Sequence, residues 1–457
     1  MLLCRRCPLP CSDGTALADV PRSSPEHGVR PDTRSRPDDP PLRAADRPPA
    51  AGRGPVRGAG AGRSPALGGL YAAYYAALGA FFPFLPLFYR AHGLSGLEIG
   101  ALAAVSPALA LFAQPLWAGI ADARGQRRGV LLCVLAGSGA AAPLFLLARG
   151  FPAYLLCAAA LALCSTSVAP LADSLTIVHL GGARERYARV RLWGAAGFAL
   201  CTAAMGALLL RQGLAVIFIV YSAGIAAALL LATLSPPGVA PPSQRRRLWD
   251  ALPELWRATD YRAFVGVACV LQLASSANNA FLSLYVHALG SSTWVIGLAW
   301  AVAAAFEVPV MALAPRFAER LGPRRVLTLA LGVYALRYAL FGALAARGPA
   351  WILGLQLGQG LSFGLFYTTA VPYVSRLAPA HLQTSAQAVY AAATQGATAI
   401  IGTLLAGLIF DAFGPQAVYA WASAAAAVAA VTLLVSRLPL APGREGGRAT
   451  ASAAPGR

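Results

Sequence analysis

The chain has 457 residues, of which 57% are hydrophobic and only 12% charged, and its mean hydropathy is +0.59. Soluble globular proteins carry about 25% charged residues, so this composition excludes a soluble domain and indicates that lipid surrounds most of the chain. A formal net charge of +19 often accompanies nucleic-acid binding. Here the arginines fall in short loops and one tail rather than on a continuous face, and we expect no nucleic-acid partner.

The first 64 residues differ from the rest of the chain. They are rich in Pro, Arg, Gly and Ala and contain no aromatic residue, so they cannot bury enough apolar surface to offset the entropy lost on folding. We predict disordered cytoplasmic tails at 1–64 and 439–457. Cys4, Cys7 and Cys11 are spaced C-x-x-C-x-x-x-C, but no His or fourth Cys is nearby, so we predict neither a metal site nor a cofactor.

From residue 66 onwards, apolar runs of about 20 residues recur, and each is long enough to cross a bilayer core of about 30 Å. Glycine, proline and charged residues separate nearly every neighbouring pair of runs. The predicted membrane spans, numbered 1 to 12, are 66–89, 97–119, 129–148, 151–180, 187–210, 214–234, 261–288, 293–318, 325–346, 349–378, 382–410 and 414–437.

Arginine is distributed unevenly over the loops between these spans. The loops after spans 2, 4, 6, 8 and 10 carry most of the loop arginines, whereas the alternate loops carry only Arg90, Arg149, Arg211 and Arg347. An excess of positive charge marks cytoplasmic loops. We therefore predict a multi-pass protein of the cytoplasmic (inner) membrane with both termini in the cytoplasm.

The two halves of the chain repeat each other. G-L-S-G-L-E-I-G at 93–100 corresponds to G-S-S-T-W-V-I-G at 290–297, and D-A-R-G-Q-R-R at 122–128 corresponds to E-R-L-G-P-R-R at 319–325, with one offset of 197 residues (290 − 93 and 319 − 122). This predicts an all-α membrane protein whose twelve transmembrane helices form two six-helix pseudo-repeats. The predicted organisation is a six-helix half at 65–234, a cytoplasmic linker at 235–260 and a second six-helix half at 261–438.

Ionisable residues are rare within the spans. A charge at mid-membrane depth costs about 2.5–3.5 kcal/mol, so the few that occur usually face a cavity or a partner. Asp173 lies in the cytoplasmic half of span 4, and Arg191 lies at a matching depth in span 5. We predict that this pair binds the substrate; a gating or purely structural ion pair is the alternative.

Glu307 in span 8 and Arg337 in span 9 also match in depth, near the midplane. Burial favours the protonated form of a carboxyl group, and a neighbouring arginine can hold or release that proton. The pair is therefore predicted to couple transport to protons, and a static salt bridge between two helices is the alternative.

A short cytoplasmic turn between spans 2 and 3 contains Asp122, Arg124, Arg127 and Arg128, and Glu319 occupies the corresponding position after span 8. A carboxylate in such a turn can accept hydrogen bonds from the N-terminus of a neighbouring helix and so stabilise one state of a gate. We predict a gating or structural role for these two loops; simple solvated charge is the alternative.

Polar side chains are unusually frequent in spans 7 and 10. We predict that Asn278 and Gln359 line a water-filled substrate cavity, although interhelical hydrogen bonding would explain each of them equally well. Tyr71, Tyr74 and Tyr75 in span 1 line either this cavity or the membrane interface.

Several of these motifs resemble those of the major facilitator superfamily. W-A-G-I-A-D-A-R-G-Q-R-R at 117–128 is similar to the signature loop between helices 2 and 3 of that superfamily, with Ala123 where a basic residue usually follows the Asp. G-A-F-F-P-F-L-P at 79–86 resembles helix 1 of the group that contains the lactose and 3-phenylpropionate permeases. The motifs within 170–200 resemble the same group.

This resemblance implies roles for individual residues. Asp173 and Arg191 stand where lactose permease has its sugar-binding Glu and the partner Arg. Phe198 stands where a Trp stacks on the sugar, and Arg337 matches an Arg involved in proton release. Lactose permease also has a His and a Glu in helix 10, but Gln359 occupies the first of these places and a serine the second, and neither can titrate.

Glu307 therefore becomes the candidate proton acceptor. The features together favour the 3-phenylpropionate permease side of the group, in which aromatic acids are one substrate class. They predict a secondary transporter, not an enzyme, which takes up a small organic solute (an aromatic acid, sugar or nucleoside) with a proton by alternating access. We expect a monomer in the lipid bilayer.

A proton-driven efflux antiporter with the same fold is the main alternative. Its members usually carry a G-P-x-x-G-G motif in helix 5, and span 5 lacks that proline. A non-transporting membrane sensor is a more distant alternative.

Overall fold

The structure, a computed structural model, describes residues 64–180, 184–235, 248–436 and 438. Within these residues the chain is helical, and eleven helical segments are long and apolar enough to cross a membrane. Span 10 is also helical throughout, but Gln356 and Gln359 make it less apolar than the others. The predicted fold class, an all-α membrane protein of twelve transmembrane helices, is confirmed. Apart from Ser64, the predicted tails lie outside the described residues, and so do residues 236–247 of the predicted linker.

Spans 1 to 6 form the N-terminal half. Span 1 consists of the helices Ser64–Phe81 and Leu85–Ala91. The turn between them contains Pro83, whose missing backbone N–H cannot continue the helical hydrogen bonding. Spans 2 to 6 are Gly96–Arg124, Arg127–Ala141 with the 3-10 turn Ala142–Leu146, Gly150–His179, Arg184–Leu208 and Val216–Leu234.

Spans 7 to 12 form the C-terminal half. Spans 7, 8, 9 and 12 are Thr259–Ala288, Thr293–Leu321, Pro323–Leu344 and Pro415–Val435. Spans 10 and 11 each contain a π-helical stretch between α-helices, a feature that is frequent at functional sites. Span 10 runs Pro349–Gln359, Gly360–Gly364 (π) and Leu365–Leu377; span 11 runs Gln383–Ala391, Ala392–Thr398 (π) and Ala399–Phe413.

A short helix, Leu248–Arg257, precedes span 7. Its Glu254 carboxylate lies 3.1 Å from the imidazole of His381, which belongs to the loop between spans 10 and 11. The polar contact ties the end of the linker to the arginine-rich end of the C-terminal half.

The two halves meet along two pairs of spans, span 2 with span 11 and span 5 with span 8. Glycines make the contact close: Gly100 packs on the carbonyl oxygen of Thr403, where a Cβ would clash, and a Cβ on Gly206 would lie 2.7 Å from the carbonyl oxygen of Thr293. Small residues let membrane helices approach in this way.

Asp411, near the end of span 11, adds a polar link between the halves. Its carboxylate accepts hydrogen bonds from the backbone N–H groups of Gly96 (2.7 Å) and Leu97 (2.8 Å) at the start of span 2. The free N–H groups and the dipole of a helix N-terminus favour a carboxylate there. Like the glycine contacts, this link lies at the arginine-poor ends of the spans. These contacts join the two halves at that end.

Candidate functional site

Four side chains from three spans of the N-terminal half form a polar cluster. Arg191 Nη1 lies 3.1 Å from Oδ2 and 3.3 Å from Oδ1 of Asp173, and the Tyr71 hydroxyl donates to Oδ1 at 2.5 Å. Tyr187, one turn before Arg191 in span 5, accepts a hydrogen bond from the same guanidinium nitrogen at 3.0 Å. The structure thus brings Asp173 and Arg191 together, and their role in substrate binding stays a prediction.

This cluster is accessible. The side chain of Arg191 is 48% exposed and that of Asp173 is 26% exposed. Within the described residues, the Nε and Nη2 atoms of Arg191 form no hydrogen bond. They are therefore free to donate to a ligand or to water.

The three tyrosines of span 1 belong to the same region. The Tyr71 and Tyr75 rings are stacked with centroids 6.2 Å apart, and Tyr74 meets Tyr75 edge-on at 5.1 Å. Tyr75 lies over Gly194 of span 5, where a Cβ would sit 2.8 Å from the ring. The hydrogen bond from Tyr71 to Asp173 makes this tyrosine part of the site, a partnership that the sequence offered no means to detect.

Phe198 lies about two turns beyond Arg191 in span 5. Its backbone packs against Gly79 of span 1. Its ring is half-buried and forms no ring–ring contact with the other aromatic residues that the structure describes. Its predicted stacking on a substrate stays a prediction.

Arg337 is almost completely buried in the C-terminal half, with 3% of its surface exposed. Its Nη1 donates to Gln356 Oε1 at 3.0 Å, and its guanidinium lies 4.7 Å from the ring centroid of Tyr338, with Tyr334 and Phe341 also close. Its Nε and Nη2 atoms are buried and have no hydrogen-bond partner among the described residues.

Glu307 is half-buried on span 8 and forms no ion pair with Arg337 in the part of the chain that the structure describes. It interacts instead with the Gln359 side chain and, at longer range, with the positive charge of Arg337. The predicted depths agree, but the direct pair is not formed, because Gln356 and the aromatic rings hold the guanidinium.

The two predicted amides of the cavity differ. Asn278 is buried, and its Oδ1 accepts a hydrogen bond from Tyr419 of span 12 at 3.3 Å. This hydrogen bond to another helix of the same half agrees with the alternative given for Asn278, whose role in substrate binding stays a prediction; the next residue, Asn279, is exposed. Gln359 is half-buried next to Glu307.

The loop after span 2 holds its charges in a network. Arg127 Nη2 lies 3.3 Å from Asp122 Oδ1, and Arg127 Nη1 donates to Ser174 Oγ of span 4 at 2.7 Å. Arg128 donates to the carbonyl oxygen of Ser235, at the end of span 6, at 2.8 Å. Arg124 is exposed.

The loop after span 8 is built differently. Glu319 is exposed and forms no ion pair within the described residues. Arg324 donates to carbonyl oxygens at the end of span 12, among them those of Leu433 and Leu434 at 3.3 Å and 2.9 Å. In both halves an arginine of this loop thus caps the last span, where free carbonyl groups attract positive charge.

No group of three or more His, Cys, Asp or Glu side chains that could hold a metal ion occurs in the described ranges. The N-terminal cysteines lie outside them.

Comparison with known proteins identifies the family. Residues 66–421 match the profile of the MFS_1 like family. The chain is 33% identical to the maltose permease of Geobacillus stearothermophilus over 77% of this chain and 89% of that protein. It is 27% identical to the "Probable 3-phenylpropionic acid transporter" of Escherichia coli strain K12, over 55% and 66% of the two chains.

Solved structures share the fold. The crystal structure of the nucleoside transporter NupG superposes with a TM-score of 0.73 at 18% identity, covering 82% of this chain and 98% of NupG. The family match, the maltose permease relative and the arrangement of the spans agree. The chain therefore belongs to the MFS_1 like family and is a membrane transporter of the major facilitator superfamily, not an enzyme.

Proposed function

We propose that this transporter takes up a small, neutral, hydroxylated solute of the sugar or nucleoside class together with a proton, by alternating access between its halves. The observation that supports this proposal most is the ion pair between Asp173 and Arg191. Because these groups neutralise each other, the site offers a carboxylate acceptor and guanidinium donors without a net charge. Hydroxyl groups, which both donate and accept hydrogen bonds, suit such a site.

The relatives are in keeping with this substrate class, since one is named for maltose and one structural neighbour for nucleosides. An aromatic acid is the second candidate, because tyrosine rings lie beside the accessible guanidinium of Arg191 and a further relative is named for 3-phenylpropionic acid. A substrate carboxylate would have to compete with Asp173 for Arg191, which makes it the less favoured ligand.

We place the coupled proton on Glu307. It is an acid within a membrane span, without an ion-pair partner in the described residues, and the buried cation of Arg337 is near enough to influence it. We also propose that the protein is a monomer of the cytoplasmic membrane with its arginine-rich end inside the cell. The distribution of loop arginines supports this orientation.

Transport by the full-length protein in proteoliposomes tests the proposal. Labelled maltose, uridine and 3-phenylpropionate are offered with and without an imposed proton gradient, and with an uncoupler. We expect a hydroxylated solute to accumulate above equilibrium only when the gradient drives protons inward. Accumulation of 3-phenylpropionate, without accumulation of maltose or uridine, would favour an aromatic acid as the substrate. Extrusion of solute in exchange for protons would identify an efflux antiporter.

A further inference from the structure

Tyr71 is a buried tyrosine of span 1 whose hydroxyl group meets the ion pair of spans 4 and 5. Only 2% of its surface is exposed, and the hydroxyl donates to Asp173 Oδ1 at 2.5 Å. Tyr71 and Arg191 are each seven residues from the first residue of their helices (71 − 64 and 191 − 184). Asp173 is six residues from the end of its helix (179 − 173). The three side chains therefore lie at one depth, about 10 Å from the arginine-rich ends of their spans.

The two carboxylate oxygens of Asp173 have different partners. Oδ1 accepts from the Tyr71 hydroxyl and lies 3.3 Å from Arg191 Nη1, whereas Oδ2 contacts only Arg191 Nη1, at 3.1 Å, among the described residues. Each carboxylate oxygen has about two lone-pair sites, so Oδ2 keeps an acceptor site. The Nε and Nη2 donors of Arg191 form no hydrogen bond in the same part of the chain. Hydroxyl groups of a solute can therefore donate to Oδ2 and accept from the guanidinium.

Tyr71 is the best-fixed member of this cluster. The side chains of Asp173 and Arg191 are 26% and 48% exposed, so the ion pair alone leaves the carboxylate free to turn towards water. Tyr71 is buried, and its ring is stacked against that of Tyr75 with centroids 6.2 Å apart. A short hydrogen bond from a hydroxyl group to a carboxylate is about twice as strong as one between neutral groups. The phenol thus restrains the orientation of Asp173.

We propose that Tyr71 is a positioning residue for solute binding. It holds Asp173 Oδ1, so that Oδ2 and the free donors of Arg191 face the solute together, and it acts through Asp173 without touching the solute itself. The inference rests on the proposed function. It adds that the affinity of the site for a hydroxylated solute depends on a side chain of a third span.

Tyr71→Phe in the purified full-length protein is the first test. Phenylalanine keeps the buried ring and its stacking on Tyr75, and it removes only the hydroxyl group. We expect the dissociation constant for maltose or uridine to rise about tenfold, or about 1.4 kcal/mol. The rise in unfolding temperature with solute concentration measures the affinity, and it reports weak binding as well as tight binding.

A double-mutant cycle with Asp173→Ala separates positioning from packing. The alanine variant has no carboxylate to position, so adding Tyr71→Phe to it should change the affinity less than twofold. A tyrosine that acts through the packing of span 1 would weaken binding by the same factor in both backgrounds. That result, or wild-type affinity in Tyr71→Phe, would overturn the inference.

Tyr261→Phe is the matched control. Tyr261 of span 7 is also fully buried, and its hydroxyl donates to the carbonyl oxygen of Ala386 at 2.8 Å. Its loss should lower the unfolding temperature without changing solute affinity. The proposed function has a separate outcome: if Asp173→Ala binds both solutes as tightly as the wild type, or if the wild type binds neither, the proposed binding pair fails whatever Tyr71→Phe does.

Discussion

Two arginines of the N-terminal half are paired with carboxylates, whereas the buried arginine of the C-terminal half, Arg337, is surrounded by neutral groups. In the N-terminal half, Arg127 contacts Asp122 and Arg191 contacts Asp173. In the described part of the C-terminal half, no arginine forms an ion pair with an acidic residue. Arg337 there donates to the amide of Gln356 and lies among aromatic rings.

This difference shows that a duplicated fold does not duplicate its charge chemistry. The Asp173 and Arg191 pair is complete and accessible, so it is suited to receive a neutral solute without rearranging. Arg337 carries a buried charge with two unused donors, and such a charge is costly until an anionic group approaches it. This contrast is in keeping with the roles proposed above, solute binding in the N-terminal half and proton coupling in the C-terminal half.

Breaking the complete pair should have the largest effect. Arg191→Gln removes the guanidinium donors and leaves Asp173 without its cation. Hydrogen bonds to charged groups contribute about 1.5–3 kcal/mol, so solute affinity should fall about 10- to 150-fold. Asp173→Asn should cause a loss of the same order, because a hydroxylated solute uses both partners. Equilibrium binding to the purified protein measures both.

The double variant Asp173→Asn with Arg191→Gln separates recognition from structure. It leaves neither charge unpaired, so it should fold, yet it should bind as weakly as the single variants. Near-normal affinity in the double variant would show that the pair is purely structural. Dependence on Arg191 much stronger than on Asp173 would instead indicate an anionic solute.

Removing the proposed proton acceptor of the C-terminal half should have the next largest effect. Glu307→Gln keeps the size and hydrogen bonding of the side chain but cannot titrate. We expect uphill accumulation to disappear while exchange of solute down its gradient continues. Glu185→Gln, which alters an exposed acid at the start of span 5, is the control and should accumulate normally. Normal accumulation by Glu307→Gln would move the proton to another group, with Asp173 the next candidate.

Much of this comparison could be predicted from the sequence. Hydropathy is a property along the chain, so the twelve spans follow from it directly. Asp173 and Arg191 could be matched because a short loop joins spans 4 and 5, and the distance of each residue from that loop fixes its depth in the membrane. The repeated motifs likewise indicated two related halves.

The direction in which a side chain points around its helix could not be predicted. The predicted depths of Arg337 and Glu307 in the membrane agree, but the Arg337 guanidinium donates to Gln356 of span 10 instead. Asn278 and Asn279 differ by one residue, about 100° around the helix, and from the sequence alone it could not be predicted which of them is exposed. The π-helical stretch in span 10 changes the direction in which the side chains that follow it point around the helix.

Giving the C-terminal half an ion pair like that of the N-terminal half should have a moderate effect. Gln356→Glu would place a carboxylate where Arg337 now meets an amide at 3.0 Å. The guanidinium of Arg337 is already buried, so forming the new ion pair costs only the desolvation of the added carboxylate. The attraction between the two charges should exceed that cost. We expect a higher unfolding temperature at neutral pH and weaker proton-driven accumulation, because the new carboxylate would neutralise the positive charge of Arg337 that acts on Glu307.

Gln356→Met is the matched control for this substitution. It is similar in length but leaves Arg337 Nη1 without its acceptor, which should cost about 1–3 kcal/mol of stability. Thermal unfolding of the purified protein compares the two variants. A lower unfolding temperature for Gln356→Glu than for Gln356→Met would show that a carboxylate next to Arg337 destabilises the protein.

The smallest effects are expected in the two corresponding loops. Asp122 and Arg127 have side chains only 23% and 15% exposed, and Arg127 also joins Ser174 of span 4, so Asp122→Asn disturbs a partly buried network. A loss of about 1 kcal/mol is the expected scale for such a contact. Glu319 is exposed and unpaired in the described chain, so Glu319→Gln should change stability by no more than about 0.5 kcal/mol. Denaturant unfolding of the two variants in the same detergent measures the difference. Equal losses of stability in Asp122→Asn and Glu319→Gln would mean that Glu319 has a partner in another conformation. The contrast between the halves would then hold for one state of the transporter and not for its whole cycle.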